Sequence, residues 1–255
     1  CLSTRSLPNG RGLSWSAASV VYKRQVQTHE SIRRGLLEEA YEAAEAIDTG
    51  DTALLKEELG DVLMQVVFHA DIERDRGRFT MEDVVDGVVR KLLFRHPHVF
   101  AGAGEENPES VLESWEQLKR EEKGQKTTAE AMDSVARSLP GLWRAEKLQK
   151  KAAGAGFDWP DISGALCKLE EEVRELREAV ECGRGVREEL GDVLFAAVKV
   201  GRFAGVDPEE AIAGTCEKFI RRFRAVENGA RAQGREVSDL SPDEMTDMWA
   251  RAKCF

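Results

Sequence analysis

Two short acidic patterns of a kind that binds metal ions recur in this 255-residue sequence. In each, two glutamates three residues apart are followed, about 15 residues later, by a glutamate and an aspartate with the same spacing. Side chains three positions apart lie on one face of an α-helix, so an antiparallel pair of helices would bring four carboxylates together. The first set is Glu39, Glu42, Glu58 and Asp61, and the second set is Glu172, Glu175, Glu189 and Asp192.

Four carboxylates at this density repel one another, so either their pKa values rise or a cation lies between them. Asp61 and Asp192 border the apolar faces of their helices and are expected to be partly buried. All-oxygen ligands suit a hard ion, and we expect Mg²⁺, with Mn²⁺ as a substitute. A single Glu-x-x-Glu is typical of a solvated helix face, but the double pattern occurring twice favours a metal site. A ferritin-like di-iron site would need Glu-x-x-His, which neither set contains.

Cationic and aromatic residues recur in both halves at helical spacing. A ligand carrying several phosphates requires more positive charge than a metal alone supplies, so cations are expected to converge on such a site. Taken singly, a cation pair is as readily a plain surface feature and a tryptophan as readily a core residue, but their paired recurrence favours binding. The candidates are Lys218, Arg222, Trp249 and Lys253 in the second half, and Lys91, Arg95, Trp115 and Lys119 in the first.

The acidic patterns belong to a longer internal repeat. The string Glu-Glu-Leu-Gly-Asp-Val-Leu occurs at 57–63 and again at 188–194. Apolar residues around both copies recur with the period of amphipathic helices, and no segment shows the alternation of a strand. Turn-forming residues divide each half into about four helices, and Thr80, Asp207 and Ser241 are expected to cap three of them. We predict an all-α fold of two tandem four-helix units.

The boundaries of these units follow from composition. Residues 1–25 contain no acidic side chain and no regular period, and the tract at 18–25 resembles translated adapter sequence. A native disordered tail or a transit peptide is the alternative for this leader. The predicted segments are a non-native or disordered leader at 1–25, a first unit at 26–125, a linker with a helix over 141–153 at 126–160, and a catalytic unit at 161–255.

Two glycines, Gly60 and Gly191, occupy the same place inside the second helix of each carboxylate pair. A glycine in a helix interior costs roughly 1 kcal/mol relative to alanine. Its occurrence at the same point in both copies predicts the close approach of another helix or of a ligand, and packing is the favoured explanation.

Charge and cysteine usage narrow the class of protein. The net charge of −10 disfavours nucleic-acid binding, because a phosphate backbone attracts a basic surface. No apolar run approaches the roughly 18 residues of a membrane span. No pair of cysteines has the Cys-x-x-Cys spacing, so we expect reduced thiols and a cytoplasmic location. The five cysteines are Cys1, Cys167, Cys182, Cys216 and Cys254.

The two acidic patterns, taken with several longer strings, resemble the MazG-like all-α nucleoside triphosphate pyrophosphatases, and in particular the tandem-domain MazG family. The resemblance covers about residues 26–255. One departure is that Val21, Tyr22, Lys23 and Arg24 stand where family members usually have Cys-Pro-Trp-Asp. The strings that carry the resemblance lie at 27–31, 37–42, 95–100, 144–153 and 156–160.

This resemblance implies a homodimer that hydrolyses nucleoside triphosphates (NTPs) or their deoxy forms to monophosphate and pyrophosphate in a Mg²⁺-dependent reaction, often as a housecleaning activity on the nucleotide pool. It also implies that the C-terminal unit is the main catalytic one. Water would attack the α-phosphorus, with Glu171 or Glu172 accepting its proton. Carried over, the metal ligands are Glu172, Glu175, Glu189 and Asp192, the assisting or basic residues are Glu171 and Glu188, and the nucleotide contacts are Lys218, Arg222, Trp249 and Lys253.

Three alternatives stay open at this point. The first is a narrower pyrophosphohydrolase, acting on dUTP or phosphoribosyl-ATP. The second is a regulatory module that binds nucleotide without turnover, which the complete set of acids disfavours. The third is a purely structural helical dimer, which would show no stabilisation by metal ions.

Overall fold

The structure is a computed structural model that describes residues 27–95 and 124–253. Those two ranges consist of helices and the turns between them and contain no β-strand, which confirms the all-α fold. None of the helices in these ranges combines the length and the apolar content required to cross a membrane. The predictions for the leader, for Trp115 and for Lys119 lie outside the described residues.

The chain divides into two compact units, residues 1–118 and 119–255. In the first unit the structure describes the helices α1 (His29–Thr49), α2 (Thr52–Asp75) and α3 (Met81–Arg95). Gly50 adopts a left-handed conformation with φ of 69°, and the Asp51 carboxylate accepts hydrogen bonds from the first turn of α2. This tight turn makes α1 and α2 an antiparallel hairpin, in which the two helices pack along their length.

The second unit contains six α-helices within the described residues. Helices α6 and α7 form a second antiparallel hairpin, closed by Gly183 and Gly185, which both have positive φ angles. A short 3₁₀-helix, Val237–Asp239, precedes the last helix. The helices are α4 (Thr128–Asp133), α5 (Gly141–Ala153), α6 (Ile162–Cys182), α7 (Val186–Ala204), α8 (Pro208–Arg231) and α9 (Pro242–Ala252).

The three predicted helix caps are confirmed. The Asp207 carboxylate accepts hydrogen bonds from the first turn of α8, and Ser241 forms a capping box with Glu244 at the start of α9. At the start of α3, the hydroxyl of Thr80 accepts from the backbone N–H of Asp83, whose carboxylate accepts in return from Thr80.

The helix predicted over 141–153 is also confirmed, and it packs against α7 and α8. Trp143 Nε1 donates to the Asp207 carboxylate at 3.0 Å, and Gln149 Nε2 donates to the carbonyl of Phe195 at 2.8 Å. The segment predicted as a linker therefore lies, in its described part, within the second compact unit.

Buried alanines such as Ala46 and Ala165, both with no exposed surface, allow the paired helices to approach closely. In contrast, no helix within residues 27–95 and 124–253 approaches Gly60 or Gly191 closely, because a Cβ at either position would meet no atom of these residues within 4 Å, and the close approach of a ligand or of a second chain stays a prediction. Leucines beside these glycines are also about half exposed. They are Leu59 (55%), Leu63 (56%), Leu190 (47%) and Leu194 (48%).

Candidate active site

The α6–α7 hairpin brings three of the four predicted carboxylates of the second unit together. One oxygen each from Glu172, Glu189 and Asp192 lies within 4.8 Å of the others. Glu172 is buried and Glu189 is partly buried, whereas Asp192 is exposed, so the expected partial burial of Asp192 is wrong. Glu175 lies near enough to raise the pKa of Glu189, and the whole set therefore shares one electrostatic environment.

The α1–α2 hairpin builds an equivalent cluster in the first unit. Single carboxylate oxygens of Glu39, Glu58 and Asp61 lie within 4.8 Å of one another, and Asp61 is partly buried as expected. The nearby charge of Glu42 contributes to raising the pKa values of Glu39 and Glu58. Glu58 is only 8% exposed, and its buried Oε2 atom accepts no hydrogen bond from any described residue.

Burial and mutual repulsion shape the electrostatics of both clusters. Desolvation is the largest cause that raises the pKa of Glu58, Glu189 and Glu39, and the neighbouring carboxylates raise the pKa values further. A buried carboxylate oxygen without a partner is costly, and a cation is the group that would satisfy it. Sets of carboxylate oxygens are the ligands that Mg²⁺ and Mn²⁺ prefer, so both clusters fit a hard divalent ion.

Lys168 is a site residue that the sequence reasoning missed. Its Nζ atom lies 2.7 Å from Oε1 of Glu172 and 2.8 Å from Oε1 of Glu171, one turn further along α6. The hydrogen bond from Lys168 is the largest cause that lowers the pKa of Glu171. The signal that would have revealed it is the i, i+4 spacing from Lys168 to Glu172.

The predicted nucleotide contacts lie on the last two helices of the second unit. Lys218 and Arg222 are partly buried on α8, and Lys253 is exposed at the end of α9. The Trp249 indole is partly buried, and its ring centroid lies 5.1 Å from that of Phe219. Trp249 also packs against the small core of α8 and α9, whose members are Val226, Ala230 and Leu240. The indole thus has a packing role, and the nucleotide-binding roles stay predictions.

Glu188, predicted to assist or to act as base, is exposed in the first turn of α7. Glu171 is partly buried next to Glu172 on α6. Each directly precedes a member of the carboxylate cluster in the sequence, Glu172 and Glu189 respectively, and their assisting roles stay predictions.

A buried ion pair locks the loop before α6 onto α7. Lys199, only 6% exposed, places Nζ 2.6 Å from Oδ1 of Asp158, and Arg202 pairs with the other oxygen. Although burial opposes the change, hydrogen bonds from these two cations lower the pKa of Asp158. The same Nζ lies 5.1 Å from the Trp159 ring centroid, which adds a cation–π contact. This lock positions α6 against α7 and so supports the carboxylate cluster.

Comparison with known proteins places this architecture in a family. The model of the MazG nucleotide pyrophosphohydrolase domain matches residues 27–100 and 163–226, once in each unit. A Thermotoga maritima protein named nucleoside triphosphate pyrophosphohydrolase/pyrophosphatase MazG is 43% identical over 227 residues, which is 89% of this chain and 87% of the relative. An Escherichia coli K12 protein named nucleoside triphosphate pyrophosphohydrolase is 42% identical over 231 residues, covering 89% and 88%.

The all-α fold, the carboxylate cluster on each antiparallel hairpin and the matched domain place the chain in the class of all-α nucleotide pyrophosphohydrolases. The chain belongs to the MazG family within that class. This membership confirms the resemblance, the tandem arrangement and the enzyme class that were predicted from the sequence.

Proposed function

We propose that the chain hydrolyses NTPs, or their deoxy forms, to the monophosphate and pyrophosphate, and that the second unit is the main site. The observation that carries the proposal is the cluster of Glu172, Glu189 and Asp192 in a chain of this family. The names of the two relatives, both nucleoside triphosphate pyrophosphohydrolases, support the substrate class. A housecleaning role in the nucleotide pool is part of the same proposal.

Mg²⁺ is the proposed cofactor, and the residues that would hold it are Glu172, Glu175, Glu189 and Asp192. When bound, it would supply charge neutralisation of the triphosphate and make water a stronger nucleophile. The raised pKa of Glu189, caused first by burial and then by neighbouring acids, supports a cation site, because a cation would relieve both costs.

The residues of the chain would then divide the remaining work. Glu171 or Glu172 would accept the proton of the water that attacks the α-phosphorus, and Glu188 is the third candidate for this task. Lys168 forms ion pairs with both Glu171 and Glu172, and its hydrogen bond lowers the pKa of Glu171, which favours the deprotonated carboxylate that can accept a proton. The proposed contacts with the phosphates and the base are those of Lys218, Arg222, Lys253 and Trp249.

We also propose a homodimer in the cytoplasm. The half-exposed leucines Leu190 and Leu194 on α7 lie beside the open surface at Gly191, a face that a second copy would cover. The first unit repeats this arrangement around Gly60. Among the described residues Cys167, Cys182 and Cys216 are free, which supports a reducing compartment.

³¹P NMR of the full chain with a mixed NTP pool and Mg²⁺ tests the proposal. Monophosphate plus pyrophosphate is the expected result, and competition with dUTP or phosphoribosyl-ATP would then measure how narrow the substrate range is. Diphosphate plus orthophosphate would contradict it, because a different bond would be cut. Absence of product, with Mg²⁺-dependent nucleotide binding, would favour the regulatory module instead.

A further inference from the structure

The two carboxylate clusters differ in the side chain that lies beside them. Aligning 38–42 with 171–175 places Gly35 at the position of Lys168, and aligning 57–63 with 188–194 places Gln65 at the position of Ala196. Beside the cluster of the second unit, the long side chain is therefore that of Lys168, a cation on the first helix of the hairpin. Beside the cluster of the first unit, it is that of Gln65, a neutral amide on the second helix of the hairpin.

The Gly35–Gln65 arrangement is a packed feature of the first unit. Gln65 is only 8% exposed, and its Nε2 atom lies 2.9 Å from the point where a Cβ on Gly35 would stand. Gln65 thus fills the space that a longer side chain at position 35 would need. Gln65 also donates a hydrogen bond to Glu39, but its amide is neutral and adds no positive charge beside the cluster.

Because Lys168 is a cation and Gln65 is neutral, the two clusters differ in the positive charge that lies beside them. In the second unit, Lys168 contacts Glu171 and Glu172 at 2.8 and 2.7 Å. Within residues 27–95, no ion pair joins a cation to any of the first unit's four acids; the ion pair nearest to them in the chain joins Arg34 to Glu38. The acids concerned are Glu39, Glu42, Glu58 and Asp61.

A second observation points to a ligand in the first unit. Glu58 is more than nine-tenths buried, and its Oε2 atom has no hydrogen-bond partner among the residues that the structure describes. Its counterpart Glu189 is partly exposed and leaves no comparable buried oxygen unpaired. A buried carboxylate oxygen within a cluster of acids is a position that a cation satisfies better than any neutral group.

We infer that the carboxylate cluster of the first unit binds a divalent cation even in the absence of nucleotide. In the second unit, by contrast, a divalent cation must compete with the Lys168 ammonium for Glu172. The inference rests on the proposed function only in taking a divalent cation as the ligand. It assigns the two halves different roles. The first cation stabilises the α1–α2 hairpin permanently, and the second site is the one whose occupancy changes during turnover.

Mn²⁺ binding to the full chain without nucleotide, followed by electron paramagnetic resonance of the free ion, tests this inference. We expect two classes of site, with the tighter class lost in Glu58→Gln and the weaker class lost in Glu189→Gln. Lys168→Gln removes the competing ammonium and should strengthen the weaker class by up to about fivefold, the strength of an ion pair whose lysine is in contact with water. Lys150→Gln is the matched control, because Lys150 forms an i, i+4 pair at 2.6 Å with Glu146, which is not a member of either cluster.

Two results would overturn the inference. One is a tighter class that survives Glu58→Gln in a variant whose circular dichroism shows it to be folded. The other is an unchanged weaker class in Lys168→Gln. Hydrolysis is assayed separately, so the two proposals fail independently. Mn²⁺ bound through Glu58 in a chain without hydrolysis would refute the proposed function alone, and hydrolysis without a Glu58-dependent class would refute this inference alone.

Discussion

The Nζ atom of Lys168 lies 2.7 Å from the Oε1 atom of Glu172, and this contact satisfies a buried carboxylate from within its own helix. Among the described residues, Lys168 is the only cation that forms an ion pair with Glu172, which is a proposed metal ligand. A cation that binds to Glu172 must share this carboxylate with Lys168. The stability of the second unit should consequently depend on metal ions and on Lys168 together.

Lys168→Gln tests this dependence. In EDTA the variant should unfold a few degrees below the parent, because Glu172 loses its charged partner. Mg²⁺ should remove most of the difference, since a bound cation replaces the ammonium. Differential scanning calorimetry in EDTA and in Mg²⁺ measures both values, and a difference that Mg²⁺ leaves unchanged would contradict the prediction.

Glu172→Gln should reduce hydrolysis by about 10²- to 10⁴-fold, the usual contribution of a general base, and the loss of a metal ligand adds to the effect. Glu39→Gln is the matched variant in the first unit and should retain most of the activity. The measurement is pyrophosphate release at saturating NTP and Mg²⁺. Equal losses in both variants would show that the two units share the reaction.

Acidification should loosen the first unit through a histidine pair. His69 Nδ1 lies 2.7 Å from Nδ1 of His29, and the other ring nitrogen of His29 pairs with Glu73. Burial, with a smaller contribution from the charge of His29, lowers the pKa of His69 below its usual 6.5. The unfolded state then binds more protons, so stability is complete above about pH 6.5 and falls below it.

Hydrogen exchange of α1 and α2 between pH 7.5 and 5.5 measures this effect, after correction for the intrinsic pH dependence of exchange. The parent should lose protection in α1 as the pH falls, because protonation places a positive charge on the partly buried His69 ring. His69→Gln is the control, since it cannot be protonated. A parent and a variant with the same pH dependence would contradict the prediction. The other charged groups at this site are Glu73, Arg76 and Arg78, and both arginines contact the Glu73 carboxylate.

Asp158→Asn should destabilise the second unit by about 3 kcal/mol, because the buried Lys199 side chain would lose its carboxylate partner. Urea unfolding followed by circular dichroism gives this value. Lys150→Gln, which breaks a more exposed pair with Glu146, should cost less than about 1 kcal/mol. Similar losses in the free energy of unfolding of the two variants would contradict the view that the Asp158 ion pair holds the loop before α6 against α7.

Leu194→Glu should convert the proposed dimer into monomers, because it places a charge on the half-exposed face of α7. Light scattering after gel filtration reports the mass directly. Val180→Glu is the control, since Val180 is 60% exposed on α6. A parent chain that is already monomeric would refute the dimer.

Most of the fold and much of the candidate site could be predicted from local patterns. The helical periodicity, the caps at Asp207 and Ser241, and the helix over 141–153 depend on residues a few positions apart. The same holds for the carboxylate clusters, because a three-residue spacing and a short turn suffice to bring Glu172 and Glu189 together. Local spacing is read directly from a sequence, since the geometry of a helix is the same in every protein.

Tertiary packing determined the features that depend on residues far apart in the chain. Examples are the histidine pair, whose members are 40 residues apart, and the lock between Asp158 and Lys199, 41 residues apart. The openness of Gly191 and the exposure of Asp192 are further examples. Periodicity shows that a residue lies on a given helix face, but the angle and depth at which two helices pack determine what that face meets.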